Sequence, residues 1–450
     1  MSETQTNQNT CAGTCDTCSS CPTYSSLPQR VIFTEEMRKE YTILIPTMLP
    51  RHFKIISKVF NRFGYHTELL EDGTHGDSQT VIDMGLKYVH NDACFPALLV
   101  IGQFLTALNS GRYDTDKVAL LLTQTGGGCR ASNYIPLLRK ALARAGYAHV
   151  PVVSLNFAGL EHMPGFKITL PMVHRMLYAI LYGDLLLSLV NQCRPYERVK
   201  GTTEKLADRW SDRLAEEMMD GTVRYSKVKK NYQRIIDDFA AIDMDNDRRQ
   251  NTVRVGIVGE IFVKFSPLGN NNLEQFLIDE GAEPVMGGLL DFCLFVVSHA
   301  TSDYALYGTG RTKASIYKIV DRFFIKKQND MIKIIKKDGR FRAPTPFRHT
   351  QSLTEGVVNQ GVKMGEGWLL TAEMLELIDQ GIGNIVCAQP FGCLPNHIVG
   401  KGMMKPIKER YPHVNLVAID YDAGATKINQ DNRIKLMLAN ARREMEQSAQ

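Results

Sequence analysis

Two turns decide how this chain is read: Gln124-Thr-Gly-Gly-Gly-Cys129 and Gln389-Pro-Phe-Gly-Cys393. In each, a short β-type run (Val118 to Thr123; Ile385 to Ala388) stops at a glycine-containing turn, delivers one cysteine and leads into a helix-prone segment. The match extends downstream, to Val150-Pro-Val-Val-Ser-Leu-Asn-Phe-Ala-Gly159 after the first turn and Val414-Asn-Leu-Val-Ala-Ile-Asp-Tyr-Asp-Ala-Gly424 after the second. An upstream strand–helix–strand unit also recurs: Thr42 to Pro46, a helix over Lys54 to Phe63, then Tyr65 to Leu70 is answered by Val253 to Val258, Asn272 to Glu280, then Glu283 to Met286. A strand–helix–strand order that appears twice predicts an α/β protein with two duplicated Rossmann-like parallel-sheet domains.

The expected layout is a Cys-rich flexible tail over 1–30, a first α/β domain over 31–165, a helical bridging segment over 166–250 and a second α/β domain over 251–450. The bridge carries apolar and amphipathic helical patterns at Met172 to Leu189, Thr203 to Asp220 and Lys227 to Ala241. Phe324 to Arg342 is basic, and its alternation with isoleucines predicts a solvated helix face able to meet a phosphate or an acidic partner. Gly361 to Gly367 is glycine-rich but has no Walker lysine, so no nucleotide role is assigned to it.

Composition bounds the function. An apolar share of 44% and a charged share of 22% are those of a globular protein. A net charge of +5 over 450 residues is too weak for a nucleic-acid footprint. The longest apolar stretch, Met176 to Val190, is broken by Gly183-Asp184, so no membrane span is expected. Ten cysteines without a hydrophobic leader point to a reducing cytoplasm, where they serve metals or redox chemistry more readily than disulfides.

Open parallel sheets gather ligands at the carboxyl ends of their strands. A thiol placed there, at a helix N-terminus, is expected to have its pKa lowered and to be a ready metal ligand. Cys129 and Cys393 occupy such positions, and Cys94 in His90-Asn-Asp-Ala-Cys94-Phe-Pro96 precedes a helix from Leu98 to Leu108. Cys387 lies close to Cys393 in sequence, Cys193 begins Cys193-Arg-Pro-Tyr-Glu197, and Cys293 sits in an apolar run that suits a core thiol. The tail adds Cys11, Cys15, Cys18 and Cys21, spaced C-x3-C-x2-C-x2-C. Four thiolates so close together repel unless a metal organises them, so the tail is expected to bind either an iron–sulfur cluster or Zn²⁺. His90, Asp92, Glu366 and His397 flank the cysteines and suit structural hydrogen bonding better than acid or base chemistry.

Taken together, Asp92-Ala-Cys94-Phe-Pro96, Gly127-Gly-Cys129-Arg130, Arg194-Pro-Tyr-Glu197, Val255-Gly-Ile-Val-Gly-Glu260 and Pro390-Phe-Gly-Cys393-Leu-Pro395 resemble the 2-hydroxyacyl-CoA dehydratase / benzoyl-CoA reductase family. The likeness covers 31 to about 440 and is strongest to the branch of double-cubane cluster proteins and activase-fused proteins. It implies an iron–sulfur cluster between the domains, held as [4Fe-4S] by Cys94, Cys129 and Cys393. A double-cubane [8Fe-9S] would need six thiolates, a number met if Cys193, Cys293 and Cys387 join them. The resemblance also implies electrons from a separate ATP-dependent activase of actin/sugar-kinase fold, an acyl-CoA substrate, and a homodimer or a related dehydratase subunit as partner. In such dehydratases one strongly reducing electron turns the thioester into a ketyl radical anion that expels the 2-hydroxyl. The tail is not part of the family pattern, and no motif marks a CoA pocket. A non-catalytic iron–sulfur carrier or scaffold is the competing expectation.

Overall fold

The computed structural model describes residues 30–71, 76–90, 93–125, 128–155, 161 and 163–448. Cys11, Cys15, Cys18, Cys21 and Asp92 lie outside the described residues. Two four-stranded sheets, all parallel, form the frame. The first contains β1 (Thr42–Pro46), β2 (His66–Leu70), β3 (Val118–Thr123) and β4 (Val152–Leu155) in the order β2-β1-β3-β4. The second contains β5 (Arg254–Gly259), β6 (Glu283–Val285), β7 (Asn384–Pro390) and β8 (Asn415–Tyr421) in the order β6-β5-β7-β8. The two orders are the same permutation, so the sequence duplication is a topological one.

Burial explains why these runs are strands. Ile43, Leu44, Val118 to Leu122, Val255, Ile257, Val258 and Ile385 to Ala388 are all buried, the continuous apolar pattern of strands covered on both faces. Parallel strands need crossover helices, and these supply the covers. One is Phe95–Asn109, buried along almost its whole length.

The bridging segment is built on three long helices, Leu170–Cys193, Thr202–Met219 and Tyr225–Ala240, with the short helix Asn246–Gln250 at its end. The first has the length and apolarity of a membrane span, yet two thirds of that stretch is buried inside the protein, and it carries Asp184. It is a core helix. Its side chains join one hydrophobic cluster that also takes in Ile55, Val59 and Phe60 from the first domain and Leu290, Leu294 and Trp368 from the second.

Asp184 ties the three parts together. Its Oδ1 lies 2.8 Å from His52 Nε2 in the first domain. The backbone N–H of Leu289 donates to the same oxygen at 2.7 Å, and that of Leu290 donates to Oδ2 at 3.0 Å. These are orphan amides at the start of the second-domain helix Leu289–Tyr307, so a buried carboxylate caps that helix. Glycines make room on either side: a Cβ on Gly288 would stand 2.4 Å from Asp184 Cγ, and one on Gly183 would stand 2.2 Å from His52 Cδ2.

The basic run differs from its expectation in part. Lys333, Lys336 and Lys337 are exposed beside buried Ile332 and Ile335, as a solvated face requires. Lys327, however, is buried with its Nζ 3.0 Å from the Tyr225 ring centroid, and Arg342 is bound to Glu283 at 2.6 Å. A cation over an aromatic face or against a buried carboxylate is held in the structure and cannot serve a partner.

Gly288→Ala should push Asp184 off the helix start. Overpacking of this kind costs about 1–3 kcal/mol, which urea unfolding would register as a lower midpoint with unchanged slope. An unchanged midpoint would show that Asp184 is not the tie described.

A thiol and carboxylate cleft between the sheets

The carboxyl ends of β3, β5 and β7 bring together residues from both domains. Cys129 follows β3 and caps a 3-10 turn over Arg130–Asn133, its Sγ accepting from Ala131 N–H at 3.5 Å. Glu260 follows β5 and caps the short helix Ile261–Phe265, its Oε2 accepting from Val263 N–H at 2.9 Å. Cys393 follows β7, and Cys94 stands at the N-terminus of Phe95–Asn109 with Pro96 in the first turn. The domains meet here through backbone: Phe95 N–H donates to Phe391 C=O at 3.0 Å.

Glycines permit the approach. Gly392 has φ +70°, and a Cβ on it would lie 3.1 Å from Cys94 Cα, so the left-handed turn and the contact both exclude a side chain. Gly365, at φ +58°, brings its backbone against Cys129, where a Cβ would stand 3.5 Å from Sγ. Met364 Sδ fills the place of a side chain on Gly128. The glycine-rich loop of the second domain therefore closes over the cysteine turn of the first, a role its composition did not disclose.

The three thiols are near enough to act on one another electrically: Cys129 feels Cys94, and Cys393 feels Cys129. All three also feel Glu260, and Cys129 and Cys393 feel Glu366. Glu366 Oε1 accepts from Ile261 N–H at 3.0 Å, so both carboxylates belong to the same wall. The thiols were expected to be acidified by helix N-termini, and the reverse holds. Burial is the largest cause and pushes each of them up, Cys129 to about 11, with the neighbouring carboxylates adding to it. Amide hydrogen bonds at the helix starts oppose this and are outweighed. Tyr134 OH, 2.9 Å from Cys94 Sγ, is the strongest local influence favouring that thiolate. Glu260 is itself raised to about 8, by burial first and by Glu366 second.

The other cysteines lie elsewhere. Cys193 is fully buried in the bridging core, pushed up to about 12, with Phe239 C=O 4.0 Å away as its acceptor. Its neighbours Tyr196 and Glu197 are structural: Tyr196 donates to Glu283 at 2.6 Å, and Glu197 accepts from Gly201 and Thr203 N–H at the start of Thr202–Met219. Cys387 lies inside β7 in an apolar cluster with Met374 and Leu416, its thiol 3.5 Å from Asn396 Oδ1. Cys293 packs against the main core beside Asp184 and Asp291. The described residues thus unite Cys94, Cys129 and Cys393 and leave Cys193, Cys293 and Cys387 in three other settings. His90 is exposed against Lys140, and His397 is exposed against Gln389. Glu366 is in the cleft. Glu260 and Tyr134 join it without having been singled out, although Gly259-Glu260, an acidic residue after a strand-ending glycine, carries the signal.

Behind the cleft runs a second buried polar group. Lys264 Nζ meets Glu373 Oε1 at 2.8 Å, and Glu373 and Lys264 both act on Glu366. Beyond them a cavity of about 70 Å³ is lined by Asp184, Asp291, Glu373 and Glu376 among others. Asp291 is raised well above the carboxylate range by burial, then by Glu376 and Asp184. Glu376 is raised to about 7, by burial first. No set of three or more His, Cys, Asp or Glu among the described residues stands close enough to ligate a single ion.

Glu376 carries a pH signature. In the unfolded chain its carboxyl ionises near 4.5, whereas in the fold it stays neutral to about 7. Its stabilising contribution is complete below 4.5 and is lost as the pH rises through 7, a fall on the order of 3 kcal/mol. Glu376→Gln should flatten the urea-unfolding profile across that window, and equal slopes in both proteins would contradict the assignment.

Neither a protein-family model nor a curated protein matches the chain.

Proposed function

We propose that the chain is the iron–sulfur component of a 2-hydroxyacyl-CoA dehydratase-like or related low-potential reductase system, with one cluster held by Cys94, Cys129 and Cys393. The observation that carries the reading is the meeting of three thiols from both domains, Cys94 and Cys393 buried and Cys129 half-buried, with two buried carboxylates in a glycine-lined cleft. Such a set is a cation trap: every charge that its main members can acquire is negative, and burial favours their neutral forms until a cation arrives. Iron supplies that cation. A cluster takes each thiolate at a separate iron, so its ligands stand further apart than ligands to one ion. With three protein thiolates as ligands, a [4Fe-4S] cluster would keep one iron free for substrate.

When bound, the cluster supplies one-electron reduction at low potential. The chain's own residues do the rest. Tyr134 O–H, hydrogen-bonded at Cys94 Sγ, and Ala131 N–H, directed at Cys129 Sγ, each stabilise charge on sulfur and so tune the potential. Phe95, Gly392 beside Cys94, and Met364 against Gly128 line the cleft. Glu260 is protonated near neutral pH and so brings a proton to the cleft wall. Electrons are expected from a separate ATP-hydrolysing activase, and an acyl-CoA as substrate follows from the family resemblance alone. The tail cysteines Cys11, Cys15, Cys18 and Cys21 are proposed as a second iron–sulfur or Zn²⁺ site.

Anaerobically prepared protein should contain iron and acid-labile sulfide. Cys129→Ala and Cys393→Ala should each abolish or convert the body cluster's EPR signal, whereas Cys193→Ala and Cys293→Ala should keep it at a stability cost of about 1 kcal/mol. Retention of an unaltered signal in both cleft variants would refute the assignment, and loss of half the body iron in Cys293→Ala would restore the six-thiolate alternative. Turnover should need both an ATPase partner and a strong reductant; turnover by the chain with reductant alone would remove the activase from the scheme.

A further inference from the structure

The helices Leu289–Tyr307 and Arg311–Asp338 form an antiparallel hairpin whose turn holds Gly308 and Gly310, both in the left-handed region. The second helix is 28 residues, about 42 Å at 1.5 Å per residue. From Lys327 onward it is anchored, with Gln328, Met331, Ile332 and Ile335 buried. Its first half projects. There Ile316, Ile319 and Phe323 are 57%, 69% and 37% exposed. At about 100° per residue they share one stripe, on the side opposite buried Ala314 and Asp321. The stripe continues onto the body. The Phe323 ring lies 5.8 Å from that of His174, and Leu170, one turn before His174 on the same helix face, is 86% exposed.

Charge borders the stripe with one sign. Lys313 falls on one flank, Arg322 and Lys326 on the other, all exposed, and none is in an ion pair among the described residues. The carboxylates in this stretch are already engaged, Asp303 by Lys363 and Asp321 by Arg348.

We propose that this stripe is a docking face for an amphipathic helix of another protein, with an apolar ridge and acidic flanks. The narrow line Leu170–Phe323–Ile319–Ile316 is the footprint of one helix laid beside another. A second copy of the chain does not suit it, because self-pairing sets basic flanks against each other in either direction: antiparallel, the Lys313 flank meets its own copy and the Arg322 and Lys326 flank meets its own; parallel, the Lys313 flank meets that of Arg322 and Lys326. A bilayer does not suit it either, since a headgroup layer calls for a broad apolar face with aromatic anchors, whereas this one is a single row. Attraction of opposite flanks would speed encounter and fade with salt.

The test uses the full chain and a fluorescein-labelled synthetic helix with a leucine ridge and glutamate flanks, followed by anisotropy at low and high salt. Binding should weaken at least about tenfold in Ile316→Ser/Ile319→Ser, and Lys313→Glu/Arg322→Glu should weaken it and remove its salt dependence. Both variants alter exposed positions, so circular dichroism and urea midpoints should match the parent. Absence of binding, or equal binding by parent and variants, would overturn the proposal. So would capture by phosphatidylglycerol vesicles in place of the peptide, or a concentration-dependent dimer in the ultracentrifuge that Ile319→Ser dissolves.

Discussion

A carboxylate at position 184 sits where three units of the chain meet, and the geometry of the cleft depends on it. Asp184 rises from the bridging helix, takes His52 from the first domain and the opening amides of Leu289–Tyr307 from the second. A charge in so dry a place is tolerable only when its lone pairs are used, and here backbone donors and an imidazole use them. Because those partners belong to different domains, satisfying the charge fixes the domains relative to each other. The sheets are then held with the ends of β3 and β7 facing across one gap.

Cysteine shows how little residue type says without its surroundings. Cys387 and Cys393 are neighbours in sequence, yet the first points from within a strand into aliphatic packing and the second stands at the strand's carboxyl end beside two carboxylates. Strand alternation and strand termination separate them. All of the described cysteines have thiols pushed up by burial. What distinguishes the cleft trio is company: thiols from two domains, hydrogen-bond donors at Cys94 and Cys129 sulfur, and Glu260 and Glu366 in the wall.

The carboxylates behind the cleft extend the same theme. Glu373, Glu376 and Asp291 act on one another, and Glu373 acts on Glu366 in the cleft wall, through a buried region with Lys264 as its central cation. A buried lysine in this position offsets repulsion that would otherwise oppose folding. The cleft and the domain tie at Asp184 are therefore parts of one electrostatic unit.

Periodicity and turn chemistry made the frame legible. Val118 to Thr123 is a strand to the residue, the duplicated order is a duplicated topology, and the three helices of the bridge lie within a few residues of their apolar patterns, because these features depend on local spacing. The positions of Cys94, Cys129 and Cys393 ahead of helices were equally local. Their protonation was not: proximity to a helix start predicted acidified thiols, and burial reversed the sign, since desolvation depends on what the rest of the chain places over them. Glu260, Tyr134 and the closure by Met364 and Gly365 were hidden for the same reason, each acting on a residue more than a hundred positions away or across a crossover. Spacing along a chain determines which elements form; which side chains share a cleft, and how far each is desolvated there, is decided only when the two sheets are packed together.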